Sequence, residues 1–242
     1  MDQKVILKKV GTPTMGGIII LIGILIGAIA MFLHYYKADI VVAKKMIPLI
    51  LATFGFGVVG FVDDFKKLVL KDIEGLKPAY KMLGLLIVSV GYVIYLVKVA
   101  HISFETYIPF VKTYITLPVW LYIPFTIFVM LAATNAVNLT DGIDGLASIV
   151  TAIIVTFFTV VSLVLDIKEV AVFGSIITGS CLGFLVFNLN PAKVFMGDTG
   201  SLALGRCNIS NCNLYESTTF NNNCSRDMCI RNSICSITGN IF

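Results

Sequence analysis

Charged residues are scarce in this sequence: Asp, Glu, Lys and Arg make up 13% of its 242 residues, whereas hydrophobic residues make up 57%. Because soluble domains carry about 25% charged residues, this composition excludes an ordinary water-soluble globule. The net charge is only +4 and is spread along the chain, which does not favour nucleic-acid binding. The sequence instead predicts a polytopic membrane protein without a separate soluble domain.

Histidine is nearly absent, with two in the whole chain, and five of the six cysteines lie after residue 206. Zinc sites are built from clustered histidines and cysteines, and neither type lies close to the acidic motifs described below. Residues 1–10 also lack the pattern of a cleavable signal peptide, so membrane insertion is expected to depend on the spans themselves.

Long uncharged runs dominate the rest of the chain, and about 20 apolar residues suffice to cross a bilayer as a helix. We predict an all-α polytopic integral membrane protein with about six transmembrane helices, at residues 16–33, 46–62, 82–97, 117–133, 146–165 and 170–187. Because successive spans alternate in direction, the polar segments at one set of span ends share one side. That side carries more lysines, which by the positive-inside tendency places its loops in the cytoplasm.

The second run stops at two adjacent carboxylates, Asp63 and Asp64, which are followed by Lys66 and Lys67. Like charges side by side raise each other's pKa unless a cation shares the site. A solvated helix end flanked by lysines explains this stretch, taken alone, equally well. Lys67 and Lys81, near two span ends, are candidates to hold a phosphate as point charges, against the alternative of a solvated turn.

Residues 11–17, GTPTMGG, precede the first span on the same side. Pro13 fixes its own backbone and favours an extended residue before it, and the paired glycines allow close backbone approach. A helix N-terminus with free amides that faces a phosphate is one interpretation. A simple hinge into the span is the other, and this segment alone favours the hinge.

The segment 135–145 carries four polar residues at three-residue spacing: Asn135, Asn138, Asp141 and Asp144. In a helix this spacing stacks side chains on one face, although two nearby glycines indicate that part of the helix is broken. Amides and carboxylates aligned at a span end are poorly explained by packing, so the pattern favours a binding role.

One further acid, Asp198, lies between two glycines after a turn that contains proline. It can cap a following helix, it can bind a metal ion on a flexible backbone, and the two roles are compatible.

Five acids are therefore expected to converge on one membrane face: Asp63, Asp64, Asp141, Asp144 and Asp198. Oxygen ligands without histidine or cysteine select a hard cation such as Mg²⁺ or Mn²⁺. Such an ion among lysines suits phosphate chemistry, because it bridges phosphate oxygens and neutralises the charge that develops during transfer. At a membrane surface one phosphate partner can be a lipid. A transporter is disfavoured, because the acids lie at span ends rather than mid-membrane.

Four segments, in order, resemble the phospho-N-acetylmuramoyl-pentapeptide transferase family of the polyprenyl-phosphate N-acetylhexosamine-1-phosphate transferase superfamily. They are GTPTMGG at 11–17, Asp63-Asp64 with Lys67, NAVNLTDGIDG at 135–145 and FMGDTGSL at 195–202. The resemblance covers residues 8–205. GTPTMGG and the threonine of FMGDTGSL favour the muramoyl-pentapeptide branch over the GlcNAc-1-phosphate branch.

The resemblance implies a Mg²⁺-dependent enzyme of the bacterial cytoplasmic membrane that serves peptidoglycan synthesis, and with it cell shape and division. Such an enzyme transfers phospho-N-acetylmuramoyl-pentapeptide from UDP-MurNAc-pentapeptide to undecaprenyl phosphate, forming lipid I and UMP. The implied partners are these two substrates and the lipid bilayer, with a homodimer as a further candidate. The alternatives are the related UDP-GlcNAc:polyprenyl-phosphate GlcNAc-1-phosphate transferase and a non-catalytic fragment.

Residue roles follow from the same resemblance. Asp198 is expected to be the principal Mg²⁺ ligand. Asp63 and Asp64 are expected to line the catalytic cleft, where one deprotonates the lipid phosphate or both belong to the metal environment. Asp141 is the fourth expected catalytic residue and lies with Asn138 and Asp144 in the region of the nucleotide sugar or the metal. The expected substrate-binding residues are Lys67, Lys81, Asn135, Asn138 and Asp144, with Lys81 on the phosphates.

The chain departs from the family pattern at its two ends. Only ten residues precede the GTPTMGG segment, where the family has another span. After residue 205 the composition changes abruptly to a stretch with five cysteines, eight asparagines and no span-length apolar run. We predict an incomplete transferase domain at 1–205, a non-native or disordered tail at 206–242, and impaired transfer. A frameshift or mispredicted end is the leading explanation, and a genuine cysteine-rich appendage without a clear zinc pattern is the alternative.

Overall fold

The computed structural model describes residues 12–72, 75–98, 105–108, 113–116 and 118–207. Six helices in these residues are long and apolar enough to cross a membrane: α1 Gly17–Ala38, α2 Ile40–Leu68, α3 Pro78–Lys98, α4 Val119–Thr140, α5 Leu146–Val164 and α6 Lys168–Asn188. The predicted helical, six-span membrane fold is confirmed, with one short β-hairpin in addition within the described residues. The predictions for residues 1–10 and for most of the tail lie outside the described residues.

A short β-hairpin, which the sequence analysis did not predict, links α3 to α4. Strand β1, Glu105–Ile108, pairs antiparallel with β2, Thr113–Thr116, so that Glu105 lies opposite Thr116. Threonine, tyrosine and isoleucine dominate both strands and favour this conformation. Because the helices alternate in direction, the hairpin lies at the end of the bundle opposite to the acidic motifs.

Helix α2 is longer than predicted and carries the paired carboxylates within it. It begins after Asp39, whose side chain accepts hydrogen bonds from two first-turn amides, and it continues to Leu68. Asp63 and Asp64 are 2% and 6% exposed. A solvated position is therefore excluded for these two carboxylates, because both are buried against other parts of the protein.

A seventh helical segment, α7, occupies residues 197–207 and lies in the centre of the bundle. Every residue from Thr199 to Cys207 is buried. Leu204 joins a hydrophobic cluster with side chains of α1, α5 and α6, and Leu202 joins a second cluster with side chains of α2, α3 and α4. The segment therefore connects the two halves of the core, and its first turn lies at the end of the bundle where the acidic motifs meet.

The described part of α7 passes the predicted domain boundary at residue 205. The guanidinium carbon of Arg206 lies 3.8 Å from the ring centroid of Tyr92, and the sulfur of Cys207 lies 3.4 Å from Thr53 Oγ1. Both residues are fully buried. The division into 1–205 and 206–242 stays a prediction, since residues 208–242 lie outside the described residues.

Candidate active site

An ion-pair network joins α2, α3 and the first turn of α7. The Nζ atom of Lys67 lies 2.8 Å from Asp63 Oδ2 and 3.1 Å from Asp198 Oδ2. The Nζ atom of Lys81 lies 2.9 Å from Asp198 Oδ2 and 3.8 Å from Asp63 Oδ2. Two carboxylates from distant parts of the chain thus share two ammonium groups, and the network is electrically balanced.

Asp198 is the carboxylate with the most polar partners in this network. Besides the two lysines, the side-chain amide of Asn138 donates to its Oδ1 at 2.8 Å and also to Ser201 Oγ at 2.7 Å. Burial alone would raise the pKa of Asp198, but hydrogen bonds with Asp63, Lys81 and Asn138 outweigh burial and hold the pKa below its usual value. Asp198 is therefore ionised at neutral pH, as metal binding requires.

The loop between α2 and α3 is folded onto Asp63. The backbone N–H of Leu76 donates to Asp63 Oδ1 at 2.6 Å. Lys66 fixes the same loop by donating to Asp72 Oδ2 at 2.9 Å and to the carbonyl oxygen of Gly75 at 3.0 Å. Gly75 has a φ of 65°, a left-handed conformation that glycine adopts without strain. The loop therefore closes one side of the network.

Asp64 points away from the lysines and toward α7. Its Oδ1 accepts the backbone N–H of Asp198 at 3.1 Å, and its Oδ2 accepts the backbone N–H of Thr199 at 2.8 Å and the hydroxyl of Thr199 at 2.6 Å. On a helix, adjacent residues project about 100° apart, so neighbouring carboxylates meet different partners. Asp63 and Asp64 accordingly have separate environments.

The GTPTMGG segment contacts the segment that leads into α7. The N–H of Gly16 donates to the carbonyl oxygen of Phe195 at 2.8 Å, and the N–H of Gly17 donates to that of Met196 at 2.8 Å. In return, Phe195 N–H donates to the carbonyl oxygen of Pro13 at 2.9 Å. These two glycine amides already have backbone partners, so the interpretation that they face a phosphate is wrong. They instead hold the residues that lead to Asp198 in position.

The four polar residues of 135–145 do not share one continuous helix face, because α4 ends at Thr140. Asn138 reaches Asp198 as described. Asn135 instead donates to the carbonyl oxygen of Leu131, one turn earlier on its own helix, at 2.7 Å. The structure thus brings Asn138 into the network but leaves Asn135 outside it.

Asp141 and Asp144 lie beside the network, on a cavity of about 210 Å³ whose other lining residues are Gly142, Ile143, Asn188 and Phe195. The backbone N–H of Ala192 donates to Asp144 Oδ2 at 3.3 Å. Asn188 is fixed by the N–H of Gly145, at 3.1 Å from its Oδ1. The cavity therefore combines an aromatic side chain with two carboxylates and a fixed side-chain amide.

Burial, together with the negative charge of Asp198, raises the pKa of Asp141 from 3.8 to about 7. The unfolded chain thus loses this proton at lower pH than the folded chain, so folding stability falls as pH rises through this window. We expect Asp141→Asn to raise the thermal unfolding midpoint of metal-free protein at pH 8, with a difference that shrinks as the pH is lowered toward 4.5.

The matched control for this measurement is Asp166→Asn, which makes the same charge change at an exposed residue between α5 and α6, at the opposite end of the bundle. Its unfolding midpoint should follow the pH dependence of the unsubstituted chain. A constant difference between Asp141→Asn and the unsubstituted chain at all pH values would contradict the raised pKa of Asp141.

The oxygen ligands fit a hard cation that is shared with a ligand. Within the described residues, no group of three or more His, Cys, Asp or Glu side chains is arranged to hold a metal ion. Asp63 and Asp198, however, meet at the same two lysines, and Mg²⁺ in proteins commonly takes one or two carboxylates and completes its shell with water and substrate phosphates. The site therefore suits Mg²⁺ in the presence of a phosphate ligand.

Sequence reasoning missed two hydroxyl residues of this site, Thr199 and Ser201. Thr199 donates to Asp64, and Ser201 accepts from Asn138. The spacing contains part of the signal, because Asp198 and Ser201 are three residues apart and so lie on one face once this stretch is helical.

Comparison with known proteins identifies relatives of this site and fold. The model of the family described as glycosyl transferase family 4 matches residues 46–210. A phospho-N-acetylmuramoyl-pentapeptide-transferase of Acetivibrio thermocellus is 48% identical over 200 residues, which cover 82% of this chain and 58% of that protein. Proteins of the same name from Halalkalibacterium halodurans and Clostridium novyi are 44% and 46% identical, each over 82% of this chain. The chain spans 58–59% of the length of these relatives.

Proposed function

Since this chain belongs to glycosyl transferase family 4, we propose that it transfers phospho-N-acetylmuramoyl-pentapeptide from a UDP carrier to undecaprenyl phosphate, forming lipid I and UMP. The observation that carries the proposal is the meeting of Asp63, Asp198, Lys67 and Lys81 at one end of the membrane helices. Phosphoryl transfer requires carboxylates that bind a hard cation and ammonium groups that bind the phosphates.

We place this end of the bundle on the cytoplasmic side of the bacterial inner membrane. The three acid-bearing segments lie at the ends of α2 and α4 and at the start of α7, and the excess of lysines lies there too. A nucleotide-linked sugar is a polar cytoplasmic molecule, whereas a polyprenyl phosphate presents its head group at the membrane surface. A homodimer stays a prediction.

Asp198 and Asp63 would hold the Mg²⁺ ion of this site. When bound, Mg²⁺ neutralises the charge that develops on the diphosphate during transfer. Asp198 suits this role because it is ionised at neutral pH, and Asp63 suits it because the two carboxylates share the same lysines. Asp63 would also accept a proton from the acceptor phosphate, because the Lys67 and Lys81 side chains beside its Oδ2 can turn to the substrate phosphates, whereas both oxygens of Asp64 are bound to the backbone of α7.

Lys67 and Lys81 would bind phosphate oxygens of the substrates as point charges. Both lysines lie beside Asp198, so a phosphate oxygen that approaches this carboxylate would also meet the two ammonium groups. The nucleotide-sugar portion would occupy the adjacent cavity of Asp141, Asp144 and Phe195, where an aromatic ring can stack on a base.

A single-turnover assay tests this function and detects slow transfer, because the chain is in excess over the labelled donor. Membranes that contain the chain are mixed with labelled UDP-MurNAc-pentapeptide, undecaprenyl phosphate and Mg²⁺, and labelled lipid and UMP are measured. We expect both products to form only when Mg²⁺ is present. Transfer from UDP-GlcNAc alone would overturn the branch assignment, and transfer from neither donor would indicate a non-catalytic fragment.

Replacing Lys81 by glutamine should weaken donor binding about 10- to 100-fold, because a hydrogen bond to a charged group contributes roughly 1.5–3 kcal/mol. The measurement is equilibrium binding of labelled UDP-MurNAc-pentapeptide in the presence of Mg²⁺. Lys77→Gln is the matched control, since Lys77 begins the same helix turn but is exposed. Equal affinities for the two variants would show that Lys81 does not contact the donor.

A further inference from the structure

The first turn of α7 is capped by a side chain from another helix. The first amides of a helix have no partner within the helix and are usually satisfied by a side chain just before it. Here Asp64, on α2, accepts the backbone N–H groups of Asp198 and Thr199 together with the Thr199 hydroxyl. The negative charge of Asp64 also lies at the positive end of the α7 dipole, which strengthens the contact.

We infer that Asp64 is a positioning residue that aims the Asp198 carboxylate at Lys67 and Lys81, and that it is not itself a ligand of the metal. The effect of Asp64 on metal affinity rests on the proposed function, whereas the hydrogen bonds from α7 to Asp64 do not. Asp64 therefore differs from Asp63, although the sequence predicts a metal and catalytic role for both.

Both oxygens of Asp64 are occupied by donors from α7. A carboxylate has two oxygens, and three donors from α7 already use both of them at distances of 2.6–3.1 Å. Thr199 is fully buried in the first turn of α7, so the donors to Asp64 are fixed in the fold, whereas Asp63 Oδ2 faces the Lys67 side chain, which is 40% exposed and can turn to another anion. To bind a metal, Asp64 would have to release the start of α7.

The backbone next to Asp198 is shaped for this contact. Gly197, directly before Asp198, has a φ of 77°, and a Cβ at this position would lie 2.8 Å from Asp64 Oδ2. The absence of a side chain at Gly197 therefore allows the Asp64 carboxylate to approach the amides of α7. The hydrogen bond from the Asp198 amide to Asp64 fixes the backbone at Asp198, and the Asp198 side chain then points toward Lys67 and Lys81.

The expected size of the effect follows from how metal sites respond to loss of supporting contacts. Removing a group that orients a metal ligand typically weakens metal affinity about 10- to 100-fold, whereas removing the ligand itself removes the site. Asp64→Asn and Thr199→Val should therefore weaken Mn²⁺ binding by about this factor, and Asp198→Asn should abolish it. Thr199→Ser keeps the hydroxyl and should bind Mn²⁺ as the unsubstituted chain does.

The test uses the full chain in lipid nanodiscs and two independent readouts. Amide hydrogen exchange of the peptide 195–204 measures how often the start of α7 opens. Asp64→Asn should speed exchange there about tenfold. Titration with Mn²⁺, followed by electron paramagnetic resonance, measures the Mn²⁺ affinity, which depends on the orientation of the Asp198 carboxylate. Asp39→Asn is the matched control, because Asp39 also caps a helix with a carboxylate but at the opposite end of α2; it should leave both readouts for α7 and Mn²⁺ unchanged.

Unchanged exchange of 195–204 in Asp64→Asn would overturn the inference. It would also be overturned if Asp64→Asn lost Mn²⁺ completely, as Asp198→Asn does, while Thr199→Val kept normal affinity, since that is the behaviour of a direct ligand. Absence of Mn²⁺ binding by the unsubstituted chain would overturn the metal site of the proposed function instead, and the exchange result would still decide whether Asp64 holds α7.

Discussion

Replacing Asp198 by asparagine is expected to lower metal-dependent transfer in the single-turnover assay by about 10³-fold or more, equivalent to about 4 kcal/mol of transition-state stabilisation. Asp198 is the carboxylate that both lysines and Asn138 contact, and its depressed pKa keeps it charged at neutral pH. Asparagine has nearly the same shape but lacks the negative charge, so the variant removes the metal ligand while disturbing packing little.

The control for this substitution is Asp166→Asn, at an exposed residue between α5 and α6 at the opposite end of the bundle. Both variants change one carboxylate into an amide, but only Asp198 lies in the network. Thermal unfolding of each variant shows whether the bundle is intact. Transfer by Asp198→Asn at a rate within tenfold of the unsubstituted chain would contradict the assignment of Asp198 as the metal ligand.

A single added methyl group at Gly60 is expected to destabilise the bundle and disrupt the site together. The Cβ of alanine at this position would overlap the backbone carbonyl oxygen of Asp198. Because the obstacle is backbone rather than a flexible side chain, α2 and α7 must separate, and overpacking of this kind costs about 1–3 kcal/mol or more. The measurements are the thermal unfolding midpoint and the affinity for Mn²⁺, both of which should fall.

Gly91 in α3 provides a matched control with the opposite expected sign. A Cβ at Gly91 would meet no atom within 4 Å. Alanine is favoured over glycine within a helix by about 1 kcal/mol, so Gly91→Ala should leave stability unchanged or raise it. Similar unfolding midpoints for Gly60→Ala and Gly91→Ala would contradict the close contact between α2 and α7.

The resemblance to the transferase family and the six spans could both be predicted from the sequence, and both are confirmed. The spans follow from uncharged runs of sufficient length, and a strict alternation of direction then places the acid-bearing segments at one end. This reasoning brought Asp63 and Asp198 together without any knowledge of packing. The physical basis is simple, because a bilayer leaves the chain few alternative paths.

The central position of α7 could not be predicted in the same way. Residues 197–207 contain three glycines, so helix propensity does not distinguish them from a loop. Their helix forms because other elements surround it: Asp64 caps it, and α1 and α2 pack against its first turn. Such contacts join residues that are far apart in sequence, and no local pattern records them.

The paired carboxylates illustrate the same limit at the level of single side chains. Asp63 and Asp64 have the same chemistry and adjacent positions, so sequence reasoning gave both the same metal and catalytic role. The structure separates them, because one faces Lys67 and the other faces Thr199. In the segment 135–145, similarly, spacing placed four residues on one face, but the helix ends before Asp144.

The most direct test of the central claim is electron–nuclear double resonance of Mn²⁺ bound to the chain together with UDP-MurNAc-pentapeptide. If Asp63 and Asp198 hold a cation that also binds the donor diphosphate, the spectrum will show coupling of Mn²⁺ to phosphorus. Asp198→Asn will abolish this coupling. Bound Mn²⁺ without phosphorus coupling, or the same coupling in Asp198→Asn, would contradict the claim.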